Sequence, residues 1–245
     1  MANLQSMPQI QLDTTQILAF GKASYNNGGN LSRTPPFSSG DLGKVFDTAV
    51  GDALATMLGN TVVKLTATNT LLPSCNDCVE VGPVRVIGGV RPQNFDVGYR
   101  PDGIRIAFDS KTLNDTKSVG KNWQNMVNDL ATEATTVHSR FPYAVVAFIV
   151  VIPLPCVLTT SSTLTPTGKS IIETLERLAR RGGIEGPPYM AEAISLALWN
   201  PDNGEIDPTF PDYSSTIRIE NFSNQVGTAY INRYKGLPPH AVSSE

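Results

Sequence analysis

Asp96, Asp109 and Lys111 have the residue types and the spacing of a hydrolytic metal site. Ile104, Ile106 and Phe108 alternate with Arg105, Ala107 and Asp109, which is the two-residue period of a β-strand. Phe95, Val97 and Tyr99 alternate in the same way around Asp96. Between the two runs, Arg100-Pro101-Asp102-Gly103 is turn chemistry, since Pro presets φ at the second turn position and Gly tolerates the last. A turn centred on Pro101 and Asp102 predicts a hairpin with Val97 opposite Ile106 and Phe95 opposite Phe108. The apolar side chains then meet on one face. Asp96 falls opposite Ala107 and diagonal to Asp109, roughly 7–8 Å apart at the Cβ atoms. Lys111, two residues beyond Asp109, shares their face.

Two carboxylates at this spacing can converge on one divalent cation, and the small Ala107 leaves room between them. Mg²⁺ is hard, prefers oxygen and usually takes one or two carboxylates plus waters and substrate phosphate oxygens. It acidifies a bound water and stabilises charge on a phosphoryl group. A neighbouring lysine can orient the attacking water and offset the developing charge. The bland alternative is an edge hairpin whose acids and lysine simply meet solvent.

The string resembles the catalytic signature of the PD-(D/E)xK nuclease superfamily, to which most Type II restriction endonucleases belong. In that pattern an Asp opens a hairpin, and a second acid followed by x-Lys ends the next strand; the matching residues are Asp96, Asp109 and Lys111. The second acid is Asp where Glu is commoner. Pro101-Asp102 is a literal Pro-Asp, but it lies in the predicted turn, too close to Asp109, so Asp96 is the preferred first ligand. The resemblance implies an α/β fold with a restriction-endonuclease-like core, a central mixed β-sheet flanked by α-helices. It also implies Mg²⁺-dependent hydrolysis of duplex DNA at a specific sequence, by a homodimer when the target is palindromic. Such nucleases often draw a further acid from the first helix, for which Asp47 is the candidate and Asp52 a weaker one. Lys121, Asn122 and Gln124 open the helix after the hairpin and are candidates for DNA-phosphate contacts, with an exposed polar first turn as the alternative. Glu133, deeper in that helix, is an alternative metal ligand outside the main assignment.

The elements that must position these residues follow from periodicity. Residues 40–58 read as a helix, with Val45, Phe46, Ala49, Val50, Ala53, Leu54 and Met57 on its apolar side. Residues 118–140 read as a second helix through Val119, Trp123, Met126, Val127, Leu130, Ala134 and Val137, ended by Phe141-Pro142. Residues 143–154 form a nearly unbroken apolar run, too short to span a membrane and suited to a strand buried on both faces. Further on, helices are expected at 170–181 and 222–234, strands at 193–199 and 215–219, and a strong turn at 200–204. The Arg177, Arg180 and Arg181 side chains suit a solvated helix end. Residues 22–39, rich in Gly, Asn, Ser and Pro, read as a long loop or as an arm bringing Lys22, Tyr25 and Arg33 to phosphates.

The 245 residues suit a single domain, 1–245, with a core at about 40–155 and an elaboration at about 156–240 for DNA recognition or dimerisation. The net charge of −3 does not advertise a nucleic-acid binder, so any phosphate-binding surface has to be local. No basic-then-apolar leader and no spanning run is evident, so a cytoplasmic, reduced setting without membrane contact is expected. Cys75-x-x-Cys78 stands alone, with Cys156 and His138 the other soft donors, which favours ordinary loop cysteines over structural zinc. The rival functions are a structure-specific repair or recombination nuclease and a non-catalytic DNA-binding protein. A glycosidase has little support, because its carboxyls must flank a sugar bond.

Overall fold

The computed structural model describes residues 4–26, 41–59, 61–64, 70–114 and 116–240. Arg33 and most of the expected 22–39 loop lie outside them. Residues 22–26, including Lys22 and Tyr25, instead finish a helix, α1 (Thr14–Asn26). Asp13 caps that helix: its Oδ1 accepts the Gln16 N–H at 3.0 Å and its Oδ2 accepts from the Gln16 amide at 2.9 Å.

Helix α2 (Asp41–Leu58) leads to β1 (Thr61–Lys64), β2 (Cys78–Ile87), β3 (Pro92–Tyr99) and β4 (Ile106–Thr112). Helix α3 (Thr116–His138) and strand β5 (Val145–Pro153) follow, then α4 (Pro166–Leu178), β6 (Ala193–Trp199) and α5 (Ile219–Tyr234). The strands form one six-stranded sheet in the order β1 to β6. The β2–β3 and β3–β4 pairs are antiparallel; β1–β2, β4–β5 and β5–β6 are parallel. The sheet is therefore mixed, and the chain from 156 onward adds β6 to it rather than building a separate layer.

Helices cover both faces. Leu42, Phe46 and Leu54 of α2 and Phe222 and Tyr230 of α5 pack with Val97, Tyr99, Ile106 and Phe108 on one side. Met126, Leu130 and Val137 of α3 and Ile171 and Leu175 of α4 pack with Ala107, Val146, Phe148 and Val150 on the other. Strand β5 is buried along its whole length, as its unbroken Val and Ile run requires. Burial on both faces overturns the expectation that Phe95, Val97, Tyr99, Ile104, Ile106 and Phe108 share one face. Phe95 and Ile104 belong to the α3 side. Ile104 precedes β4, and β2 carries an extra residue between Val81 and Val84 where β3 runs from Val97 to Phe95.

Several elements differ from the sequence reading. Strand β2 was not anticipated, because Gly82-Pro83 interrupts its pattern. Helix α4 begins at Pro166, where the Thr165 hydroxyl accepts the Gly168 N–H at 3.0 Å, and it stops before Arg180. Residues 215–219 make an isolated bridge through Leu196 and Arg218 rather than a strand, and α5 starts at Ile219. Arg181 is not a solvated helix end: it is buried, with Nη1 3.4 Å from Glu192 Oε1 and hydrogen bonds to the carbonyls of Pro142, Ile184 and Gly186. Cys75 and Cys78 lie against each other, with their Cα atoms 5.8 Å apart. The His138 ring lies between the Pro188 carbonyl and Glu192. No helix among the described residues is long and apolar enough to cross a membrane.

Candidate active site

The β3–β4 ladder pairs Tyr99 with Ile106, Gly98 with Ala107 and Val97 with Phe108. This register is two residues from the one predicted with Pro101 and Asp102 at the turn. The connection is the whole of residues 100–105, closed by the Arg105 N–H donating to the Tyr99 carbonyl at 2.8 Å. The turn does not close earlier because Arg100 is committed elsewhere. Its guanidinium meets Glu80 and the carbonyls of Thr70, Leu71, Leu72 and Arg85. Asp102 is used locally, its Oδ1 accepting from Arg105 Nε at 2.8 Å. A two-residue shift preserves the faces. It also improves the site, because the same register continued by one residue sets Asp96 against Asp109.

The paired ladder itself stops one step earlier, at Val97 and Phe108. Asp96 Oδ2 accepts the Ser110 N–H at 3.1 Å and the Ser110 hydroxyl at 3.4 Å, so the carboxylate stands in for the strand backbone where β3 and β4 part. Asp96 and Asp109 are within hydrogen-bonding reach of each other. Asp47 arrives from α2, its carboxyl close to Ser110 and near enough to feel the Asp96 charge. Gly43 makes this approach feasible. A Cβ there would sit 2.8 Å from Ser110 Oγ, so only glycine lets α2 lie this close to β4 one turn before Asp47. Lys111 ion-pairs with Asp109 Oδ2 on its own strand and with Glu133 Oε1 of α3 at 2.9 Å. Gln93 of β3 donates to the same Glu133 oxygen at 3.0 Å.

Four carboxyl groups and one lysine therefore meet at the fork, three of the acids strongly buried: Asp47 and Asp109 at 7% exposure each and Glu133 at 3%. Burial, then the Asp96 charge, pushes the Asp47 carboxyl up to about 8 against the lowering pull of Ser110, Lys44 and Lys111. Burial and the adjoining Asp96 raise Asp109 well above the carboxylate range, with Lys111 opposing and Glu133 reinforcing. Burial alone would lower Lys111, but the charges of Asp109 and Glu133 and their hydrogen bonds hold it above the ordinary lysine value. Asp47 Oδ1 and Glu133 Oε2 are buried without a hydrogen-bond partner. This is an electrostatically frustrated cluster with an excess of acid, costly in stability and characteristic of functional sites.

Among the described residues, no group of three or more His, Cys, Asp or Glu side chains is already arranged around a cation position. The donor set nevertheless fits one. All the donors are hard carboxylate oxygens, two of them adjacent at the fork, which matches the one or two carboxylates that Mg²⁺ takes beside its waters.

Of the residues singled out from sequence, Asp47, Asp96, Asp109, Lys111 and Glu133 come together. Asp52 is exposed on α2 and does not join them. Lys121, Asn122 and Gln124 are exposed on the first half of α3. Lys121 lies about 18 Å from Glu133 along the helix axis at 1.5 Å per residue. Ser110 and Gln93 were missed. Ser110 is the x of the D-x-K string, and a small hydroxyl between the acid and the lysine was the available signal. Gln93 carried none. No family model, no curated protein and no solved structure matches this chain.

Proposed function

We propose that the chain is a Mg²⁺-dependent endodeoxyribonuclease of the PD-(D/E)xK type, hydrolysing phosphodiesters of duplex DNA at a specific sequence as a Type II restriction enzyme does. The observation that carries this reading is the meeting of Asp47, Asp96, Asp109, Lys111 and Glu133 at one strand fork. The order of elements around it supports the same reading: helix α2, the antiparallel β2–β3–β4 meander, helix α3, then parallel β5.

Asp96 and Asp109 would hold the cation, with Asp47 beside them. When bound, Mg²⁺ supplies an acidified water and stabilises charge on the phosphoryl group. The chain's own contribution is positional and electrostatic. Asp96 is fixed by two bonds from Ser110, so its carboxylate is aimed before anything binds. Lys111 brings a permanently charged ammonium to the same fork, where it can orient water and offset negative charge on the phosphate oxygens. The exposed first half of α3, with Lys121, Asn122 and Gln124, is suited to phosphates further along a duplex than the scissile one. A palindromic target would be met by a homodimer.

Phage and plasmid DNA, and a four-way junction, incubated with Mg²⁺, with EDTA, and with Lys111→Ala, test this reading. Discrete fragments from intact duplex, formed only by the unmutated protein with Mg²⁺, are expected. Cleavage confined to the junction would make it a structure-specific nuclease of the same chemistry. Tight specific binding without cleavage would leave a DNA-binding protein.

A further inference from the structure

Lys111 has two carboxylate partners, and they are not equivalent. Asp109 adjoins Asp96 at the fork and, on the proposed function, belongs to the cation. A carboxylate shared with a divalent cation attracts an ammonium far less, and the cation itself repels it. Glu133 is differently placed. It comes from α3 rather than from the two strands, and its Oε1 takes the Lys111 ammonium at 2.9 Å and the Gln93 amide at 3.0 Å. Those are its two hydrogen bonds among the described residues, and its other oxygen is buried without a partner. A carboxylate buried to 3% exposure with so few bonds is a poor device for stability. Its bonds run to the lysine and to a residue three positions before Asp96 on the same strand.

We propose that Glu133, oriented by Gln93, is a positioning residue that keeps the Lys111 ammonium at the fork once Asp109 is given over to the cation, and that it is not itself a ligand. The inference rests on the nuclease reading for its effect on cleavage, but not for its effect on the lysine. Gln93, Glu133 and Lys111 form a chain from β3 through α3 to β4, so the helix that packs on the sheet also sets the position of the lysine.

Glu133→Gln keeps an oxygen that can accept from Lys111 but is a poor cation ligand; Glu133→Ala keeps neither. Gln93→Leu leaves Glu133 in place without its guide. With the protein free of DNA, Mg²⁺ affinity is measured by calorimetry and the Lys111 ammonium is followed by NMR in the Mg²⁺-loaded state. Thermal melting verifies that each variant is folded. Glu133→Ala should lower kcat by about 10²-fold with KM for DNA nearly unchanged, a loss typical of mispositioning. Glu133→Gln should recover to within about tenfold of the unmutated rate, and Gln93→Leu should fall between them. Mg²⁺ affinity should stay within about threefold in Glu133→Gln, while the ammonium signal broadens in Glu133→Ala alone. A loss of Mg²⁺ affinity in Glu133→Gln to match that of an Asp109 variant would make Glu133 a ligand and overturn the proposal. So would equal rates for Glu133→Ala and the unmutated protein, or an unchanged ammonium signal. If the unmutated protein cleaves nothing, the nuclease reading fails, and the ammonium signal still decides whether Glu133 holds Lys111.

Discussion

At the scale of single residues, the fork is an arrangement of charges that the protein alone does not balance. Asp47 shows this most clearly, because its folded-state value of about 8 lies far above the ordinary 3.8. A group raised in this way contributes stability that is fully present below about pH 4 and is lost as pH climbs toward 8. The metal-free protein should therefore melt at lower temperature at pH 8 than at pH 5, and Mg²⁺ should restore most at the higher pH. Asp47→Asn removes one of the charged groups. It should stabilise the metal-free protein at pH 8, by about 1 kcal/mol or more, and leave it nearly unchanged at pH 4. Asp109 shifts in the same direction and remains, so the pH dependence should shrink without vanishing. Melting curves of both proteins from pH 4 to 8 check this; an Asp47→Asn curve parallel to that of the parent would contradict it. The acid pair and lysine were legible in sequence because chemistry forces their types and spacing. Glu133 and Asp47 were legible only as candidates, since the helix face that carries a buried acid also carries its apolar neighbours.

At the scale of elements, the hairpin departs from its sequence pattern in register and, at Phe95 and Ile104, in face. Pro101-Asp102-Gly103 is a genuine turn signal, but a turn closes where its flanking residues are free to pair. Arg100 is held by Glu80 and four carbonyls, and Arg105 Nε bonds Asp102, so the loop takes six residues. The Arg100 bonds are tertiary commitments, invisible to a local pattern. Helices α2 and α3 and strands β5 and β6 were legible because long apolar repeats at 3.6 residues, and unbroken Val and Ile runs, have few alternatives. The Asp13-x-x-Gln16 cap that opens helix α1 is a local signal of the same kind. The meander also depends on small residues where its strands are crowded. Gly98, opposite Ala107, would carry a Cβ 2.7 Å from Val84 Cγ1, on a stiff side chain that cannot swing away. Gly98→Ala should cost about 1–3 kcal/mol by overpacking and, two residues from Asp96, should lower cleavage as well. Denaturant unfolding measures the first effect; an unchanged midpoint would mean that β2 relaxes without strain.

At the scale of the whole molecule, one buried acid outside the fork ties the layers together. Glu192, at the start of β6, accepts the Val146 N–H at 2.8 Å and an Arg233 hydrogen bond from α5 at 2.8 Å. It also meets His138 at the end of α3 at 3.2 Å and Arg181 at 3.4 Å. Burial pushes its carboxyl up, but His138, then Arg233 and the Val146 N–H, more than compensate and hold it below the usual range. A depressed value contributes stability present above about pH 4.5 and lost as pH falls through the folded-state value, the opposite sense to Asp47. Glu192→Ala leaves three cationic or cation-capable side chains buried together and should cost about 3–5 kcal/mol. Equilibrium unfolding at neutral pH checks this, and a loss below 1 kcal/mol would mean that the arginines find solvent. None of this network was legible in sequence, because its members lie on five segments that meet only in the folded chain.

The central claim is that the acids at the fork hold a cation that serves phosphodiester hydrolysis. Its most direct measurement is single-turnover cleavage of one DNA preparation by the unmutated protein and by Asp109→Asn, across a Mg²⁺ titration with an EDTA control. Mg²⁺-dependent cleavage by the unmutated protein, falling at least about 10³-fold in Asp109→Asn at every Mg²⁺ concentration, is the predicted result. Cleavage that survives Asp109→Asn, or DNA left intact by the unmutated protein at every Mg²⁺ concentration, would contradict it.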